Sequence, residues 1–227
     1  MKYFKSYFTN LTLTCSLIFS FCMFSGCSDE PTNITEEIVP DNTDAEDNDV
    51  TENEKPDDNI LVVFFSRTGY NYPNQWLDIG HTARVANFIT DITGGDTFEL
   101  IPEVPYPDDY QQTVAIAREE LDNDVRPKFK GEIENISDYS IVFVGGPVWH
   151  GAMPMIIRTF YETYDLTGKT IVPFTTHAGS GLGDSERLAL KYYPDGDILP
   201  GLAIQGTNSA NSKTDVESWL RRINIID

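Results

Sequence analysis

Three short stretches carry residue types suited to binding a ligand: Ser66-Arg67-Thr68-Gly69, Gly145–Ala152 (GGPVWHGA) and Thr176–Gly183 (THAGSGLG). Each follows an apolar run. Ser66, Thr68 and Gly69 suit an anion, because hydroxyls and N–H groups at a strand's carboxyl end point into the crevice where α/β folds bind ligands. Taken alone, Ser-x-Thr-Gly is equally an ordinary turn between strand and helix. The three histidines, His81, His150 and His177, all fall in or beside these loops, which is also where exposed histidines commonly sit. Two chemistries of a different kind use the same residues. A serine hydrolase would employ Ser180 with a histidine and an acid, but the Gly-x-Ser-x-Gly elbow fails at Ala178. A three-histidine metal site would draw on His81, His150 and His177, yet no close pair such as His-Glu-x-x-His is present.

The elements that must position these loops are legible as periodicity. Ile60–Phe65 is an unbroken apolar run rich in β-branched and aromatic residues, the pattern of a strand buried on both faces. Tyr70–Gly80 (YNYPNQWLDIG) reads as a loop. Val85, Phe88, Ile89 and Ile92 then give helical spacing over His81–Thr93, ended by Gly94-Gly95. A short second strand is expected at Thr97–Ile101 and a helix at Asp108–Asp122, after three prolines that forbid regular structure. Tyr139–Val144 is a third strand, followed by a helix over Met153–Tyr164. Thr170–Thr175 is a fourth strand, with a helix to Tyr192 that Asp184 could cap. A fifth strand lies near Leu202–Gln205. Thr214-Asp215-Val216-Glu217 has the form of a capping box for the last helix. Five strands alternating with five helices make a parallel sheet with helices on both faces the economical fold. In the strand order 2-1-3-4-5, the three loops would share one crevice at the topological switch point.

Charge and composition place this α/β domain at residues 59–227. Asp29–Asp58 holds thirteen acidic residues against Lys55 and has no aromatic residue, so it is expected to be a disordered, extended tether. A calcium-binding role for this segment lacks the Asp-x-Asp-x-Asp-Gly spacing. The remaining 169 residues carry 23 acidic and 13 basic side chains within a chain of formal net charge −20, which argues against nucleic acid as a partner. Residues 1–26 combine Lys2 and Lys5 with a short apolar run, Leu11–Phe24, broken by Thr12, Thr14, Ser16 and Ser20. That pattern fits a signal peptide better than a lasting membrane span. Its Ser25-Gly26-Cys27 ending resembles that of bacterial lipoproteins, which implies lipidation at Cys27, export, and anchoring to a membrane with the domain outside the cytoplasm. No cysteine follows Cys27, so the domain has no disulfide, thiolate nucleophile or cysteine metal site.

Ser-x-Thr-Gly after strand one, Gly-x-Pro-x-Trp after strand three and Thr-His-x-Gly-Ser-Gly after strand four resemble, together and in order, the FMN-binding loops of the flavodoxin-like family, in its branch with a tryptophan-bearing second loop. The resemblance runs from Ile60 to about Ile226. It implies a flavodoxin-like three-layer sandwich, bound FMN and electron transfer. By the same resemblance Ser66, Arg67, Thr68, Gly69, His81 and Thr82 belong to the phosphate loop, with Tyr70–Gly80 inserted where family members run on from Gly to Asn-Thr. Thr82 at a helix N-terminus suits an anion. Pro147, Val148, Trp149, His150 and Gly151 match the second loop, where Trp149 would stack on the flavin ring or else pack as a core indole. His177, Gly179, Ser180 and Gly181 match the third loop, whose N–H groups would reach the pyrimidine edge. The expected partner is a redox protein or a small quinone-like acceptor. A nicotinamide-using quinone reductase and a cofactor-free binding lipoprotein of the same fold remain as alternatives. No Gly-x-Gly-x-x-Gly motif marks a separate dinucleotide site.

Overall fold

A computed structural model describes residues 59–227. The signal peptide, Cys27 and the acidic tether expected from the sequence lie outside the described residues. In chain order the elements are β1 (Ile60–Phe64), a hairpin of β2 (Gly69–Asn71) and β3 (Gln75–Leu77), α1 (His81–Thr93), β4 (Asp96–Glu99), α2 (Tyr110–Asp122) and β5 (Ile141–Pro147). There follow α3 (Met155–Thr163), β6 (Thr170–His177), α4 (Ser185–Tyr192), β7 (Asp197–Ile198), β8 (Leu202–Gln205), a 3₁₀ helix over Gly206–Asn211, and α5 (Lys213–Arg222).

The main sheet runs β4-β1-β5-β6, with β7 and β8 both paired to the far side of β6, and every pairing is parallel. This is the expected 2-1-3-4-5 order, with the fifth position divided between two short pieces. Successive residues of β1 point to opposite faces, as the pleat requires. Ile60, Val62 and Phe64 join Val85, Ile89, Phe143 and Trp219 under α1 and α5. Leu61 and Val63 join Val144, Ile156, Phe160 and Leu188 under α3 and α4. Burial on both faces is why β1 has no polar alternation.

Four local expectations need correction. Tyr70–Gly80 is not a loop throughout, because Tyr70 pairs with Trp76 and Gly69 with Leu77 in an antiparallel hairpin closed by the Asn74 N–H on the Asn71 carbonyl, 2.7 Å. The Thr214–Glu217 capping box does not form. The helix starts one residue earlier, after Ser212, whose hydroxyl bonds back to the Ser209 carbonyl. Asp184 flanks α4 without capping it, and its carboxylate instead takes the Met153 N–H at 2.7 Å, tying the third loop to the entry of α3. Finally, β5 and β6 extend to Pro147 and His177, so the second and third loops begin as continuations of the sheet.

Candidate functional site

The carboxyl ends of β1, β5, β6 and β8 meet at one edge of the sheet. The β1 loop and the start of α1 are pressed together there. Ser66 accepts the Ala83 N–H at 3.0 Å, and a Cβ placed on Gly80 would stand 2.2 Å from the Ser66 hydroxyl. Only glycine lets the chain return from the hairpin at this closeness. The opening N–H groups of His81 and Thr82 have no acceptor within the helix, as at any helix start. Thr82, almost fully buried, shares a hydrogen between its hydroxyl and that of Thr176, 2.8 Å. One hydrogen serves that contact, so the pair keeps a second to offer elsewhere. His81 is held by Ser209 at 2.8 Å through Nδ1, and its Nε2 is buried without a partner. Burial, with Arg84 adding to it, lowers the His81 pKa below the ordinary histidine value.

The second loop is a tight turn. Trp149 and Ala152 exchange backbone hydrogen bonds of 2.8 and 3.0 Å around His150 and Gly151, both at positive φ (53° and 81°). Positive φ at both central positions matches the twist of a two-residue hairpin. The Trp149 indole is fixed by edge contacts with Phe65 and Tyr106, ring centroids 5.3 and 5.2 Å away and planes at 85°. His150 leaves the site for α2: its Nε2 donates to the Val114 carbonyl and its Nδ1 accepts from Arg118, both at 3.0 Å. In the third loop His177 Nδ1 accepts the Gly179 N–H at 2.9 Å, which assigns the proton of the neutral ring to Nε2. Burial lowers the His177 pKa as well. Gly179 and Gly181 border open space.

Between these loops lies a cleft of about 120 Å³, lined by His81, Pro147, Val148, Trp149 and His177 from the expected set. A second cleft of about 160 Å³ adjoins it through Trp149 and includes Arg67 and His150. Thr176 and Ala178 of the third loop and Tyr72 of the Tyr70–Gly80 insertion also line the first cleft, as do Asn71, Tyr110, Gln205, Gly206 and Thr207, which the sequence reading did not assign to the site. Gly206, directly after a strand, carried the only signal for the last group. No carboxylate lines this cleft, in a chain of net charge −20. Arg67 is committed elsewhere: its guanidinium donates to the carbonyls of Tyr70, Pro107 and Asp108. The three histidines have three separate sets of partners, and among the described residues no group of three His, Cys, Asp or Glu could hold a metal. No hydrogen bond joins the Ser180 hydroxyl to a histidine among the described residues, so the geometry gives the hydrolase reading no triad.

The fold and crevice define a doubly wound α/β protein with a ligand site at the strand ends. A family model described as Flavodoxin matches residues 60–223. The chain belongs to the flavodoxin family. No curated protein matches it. Among solved structures it is similar to two Bacteroides proteins that carry a provisional flavoprotein name. The one from Bacteroides eggerthii is 34% identical with a TM-score of 0.60, covering 73% of this chain and 98% of the other. The one from Bacteroides uniformis is 26% identical, also with a TM-score of 0.60, covering 72% and 98%. A flavoprotein from Lactobacillus acidophilus, solved in complex with FMN, shares the fold at 17% identity and a TM-score of 0.52, covering 68% and 97%.

Proposed function

We propose that this chain binds FMN noncovalently and serves as an electron carrier outside the cytoplasm, anchored through a lipid on Cys27. The observation that carries the reading is the cleft itself: four strand ends converge on aromatic walls and uncharged donors, with no carboxylate among them. A phosphate monoester needs several donors and no cationic side chain. The free N–H groups at the start of α1 and the Thr82–Thr176 hydroxyl pair supply donors at one end. A flat apolar ring needs an aromatic wall and backbone that can approach; Trp149 lines the cleft, and Gly179 and Gly181 follow its His177 and Ala178 in the same loop with open space beside them. When bound, FMN supplies reversible uptake and release of one or two electrons. The residues here hold, orient and partly exclude water from that group.

The purified chain, mixed with FMN and desalted, is expected to retain a flavin absorbance spectrum. A chain that emerges colourless supports the cofactor-free binding lipoprotein instead. Cys27→Ser is expected to move the protein from the membrane fraction to the soluble one. Its unchanged membrane attachment would contradict the anchor. The reductase reading gains from one feature, an open cleft of about 440 Å³ beside the first, where Tyr72 and Tyr110 border both. That space could admit a small quinone-like acceptor. Sustained nicotinamide-driven quinone reduction by the isolated protein would favour it over a carrier.

A further inference from the structure

We propose that the Tyr70–Gly80 hairpin is the second wall of the ring site, with Tyr72 as its contact residue and Arg67 as the strap that positions it. The inference rests on the flavin reading above and adds a subsite to it. Tyr72 lines the same cleft as Trp149 and His177, yet 54% of its surface stays open. The third loop, Thr176–Gly183, has no aromatic residue to cover a planar ligand from its own side. An exposed tyrosine on a short hairpin has a large apolar surface to bury, and a ring in the cleft is the adjacent surface available to it.

The hairpin is held too firmly to be a floppy insertion. Arg67 spans three carbonyls on two segments, Tyr70 in the hairpin and Pro107 and Asp108 in the approach to α2. The Tyr70 N–H donates to the Asp108 carbonyl at 3.2 Å. Asn71 Nδ2 donates back to the Gly69 carbonyl at 3.0 Å, within 3.4 Å of those of Arg67 and Thr68. Tyr70 and Trp76 pack edge to face across the two strands, centroids 5.2 Å apart. Arg67 sits inside the phosphate loop by sequence, but both terminal nitrogens of its guanidinium donate to backbone carbonyls, and its Nε is buried without a partner. A planar fork spreads its donors over separate nitrogens in a fixed geometry, whereas a lysine offers a single nitrogen on a flexible stem.

The experiment titrates the full chain and its Tyr72→Ala, Arg67→Gln and Arg67→Lys variants with FMN and with riboflavin, following flavin fluorescence. Tyr72→Ala is expected to weaken both ligands equally, by about three- to tenfold, and to raise the residual fluorescence of the bound ring. Both Arg67 variants are expected to do the same, because they release the wall and not the phosphate. Without any flavin, Arg67→Gln is also expected to speed chymotrypsin cleavage after Tyr70 or Trp76. An unchanged response to Tyr72→Ala overturns the wall. An Arg67→Gln loss confined to FMN and restored by lysine overturns the strap and makes Arg67 a phosphate cation. A wild-type chain that binds neither flavin overturns the flavin reading and the wall together.

Discussion

In the proposed FMN site, Thr82 is where cofactor binding and folding would share one atom. Its hydroxyl joins α1 to Thr176 on β6, and Thr176 lines the cleft proposed to hold the phosphate. A hydrogen bond to a charged group contributes about 1.5–3 kcal/mol. Thr82→Val is therefore expected to weaken FMN by about 10- to 100-fold and riboflavin far less, while Thr82→Ser keeps both. Equal losses for the two ligands would sink the assignment. The histidines give a second residue-scale expectation. Burial holds His81 and His177 below the unfolded histidine value of about 6.5, so just beneath that pH the unfolded chain binds more protons than the folded one. Their contribution to stability is fully present above that value and is lost as pH falls through the lowered folded values. Protonation also removes the Nδ1 acceptor that holds Gly179. The thermal midpoint should fall on acidification in this window, and a His81→Gln, His177→Gln double variant should show a flatter slope.

At the scale of elements, the join between hairpin and helix is the tightest constraint at the site. Gly80 has an ordinary negative φ of −63°, so its requirement is steric and not conformational. A methyl there would meet the Ser66 hydroxyl and, at 2.6 Å, the Arg67 carbonyl. Gly80→Ala is expected to cost about 1–3 kcal/mol, on the order of 3–10 °C in melting temperature, and to displace the α1 N-terminus from Ser66. Calorimetry with and without FMN measures both effects. Elements of this kind mark the limit of what the sequence discloses. α1 was legible to the residue because apolar spacing ran up to Gly94, whose φ of 72° ends it. The hairpin was not, because three-residue strands are too short for alternation to register and Pro73-Asn74 reads as a turn in any context. What the Arg67 side chain holds was hidden in a different way. Its partners are backbone carbonyls about forty residues on, and a carbonyl has no sequence identity. Gln205 and Thr207 were invisible for the related reason that topology, not motif, brings β8 to the cleft.

For the whole molecule, charge decides the company it keeps. Residues 59–227 carry ten more acids than bases, and the segment Asp29–Asp58 adds a further excess of twelve. A redox partner that meets this surface productively is expected to be basic. Reduction of a cationic acceptor protein should slow steeply as salt rises from about 10 mM to about 150 mM, since the screening length falls from roughly 30 to 8 Å. A rate indifferent to salt would point to a small neutral acceptor.

The divided fifth strand has its own consequence if the proposed lipid anchor gathers the protein at one surface. Between β7 and β8 the chain steps away from β6, and the Pro200 carbonyl is taken by the Trp219 indole at 2.9 Å while the Gly201 N–H goes to Glu186 at 2.9 Å. Proline brings no N–H of its own. The outer border of the sheet therefore offers only a two-residue and a four-residue run of backbone, separated by groups already engaged. An intruding strand from a neighbouring copy would find no continuous ladder to extend. Crowding these molecules together would thus concentrate their clefts without offering this border of the sheet to a neighbour's strand.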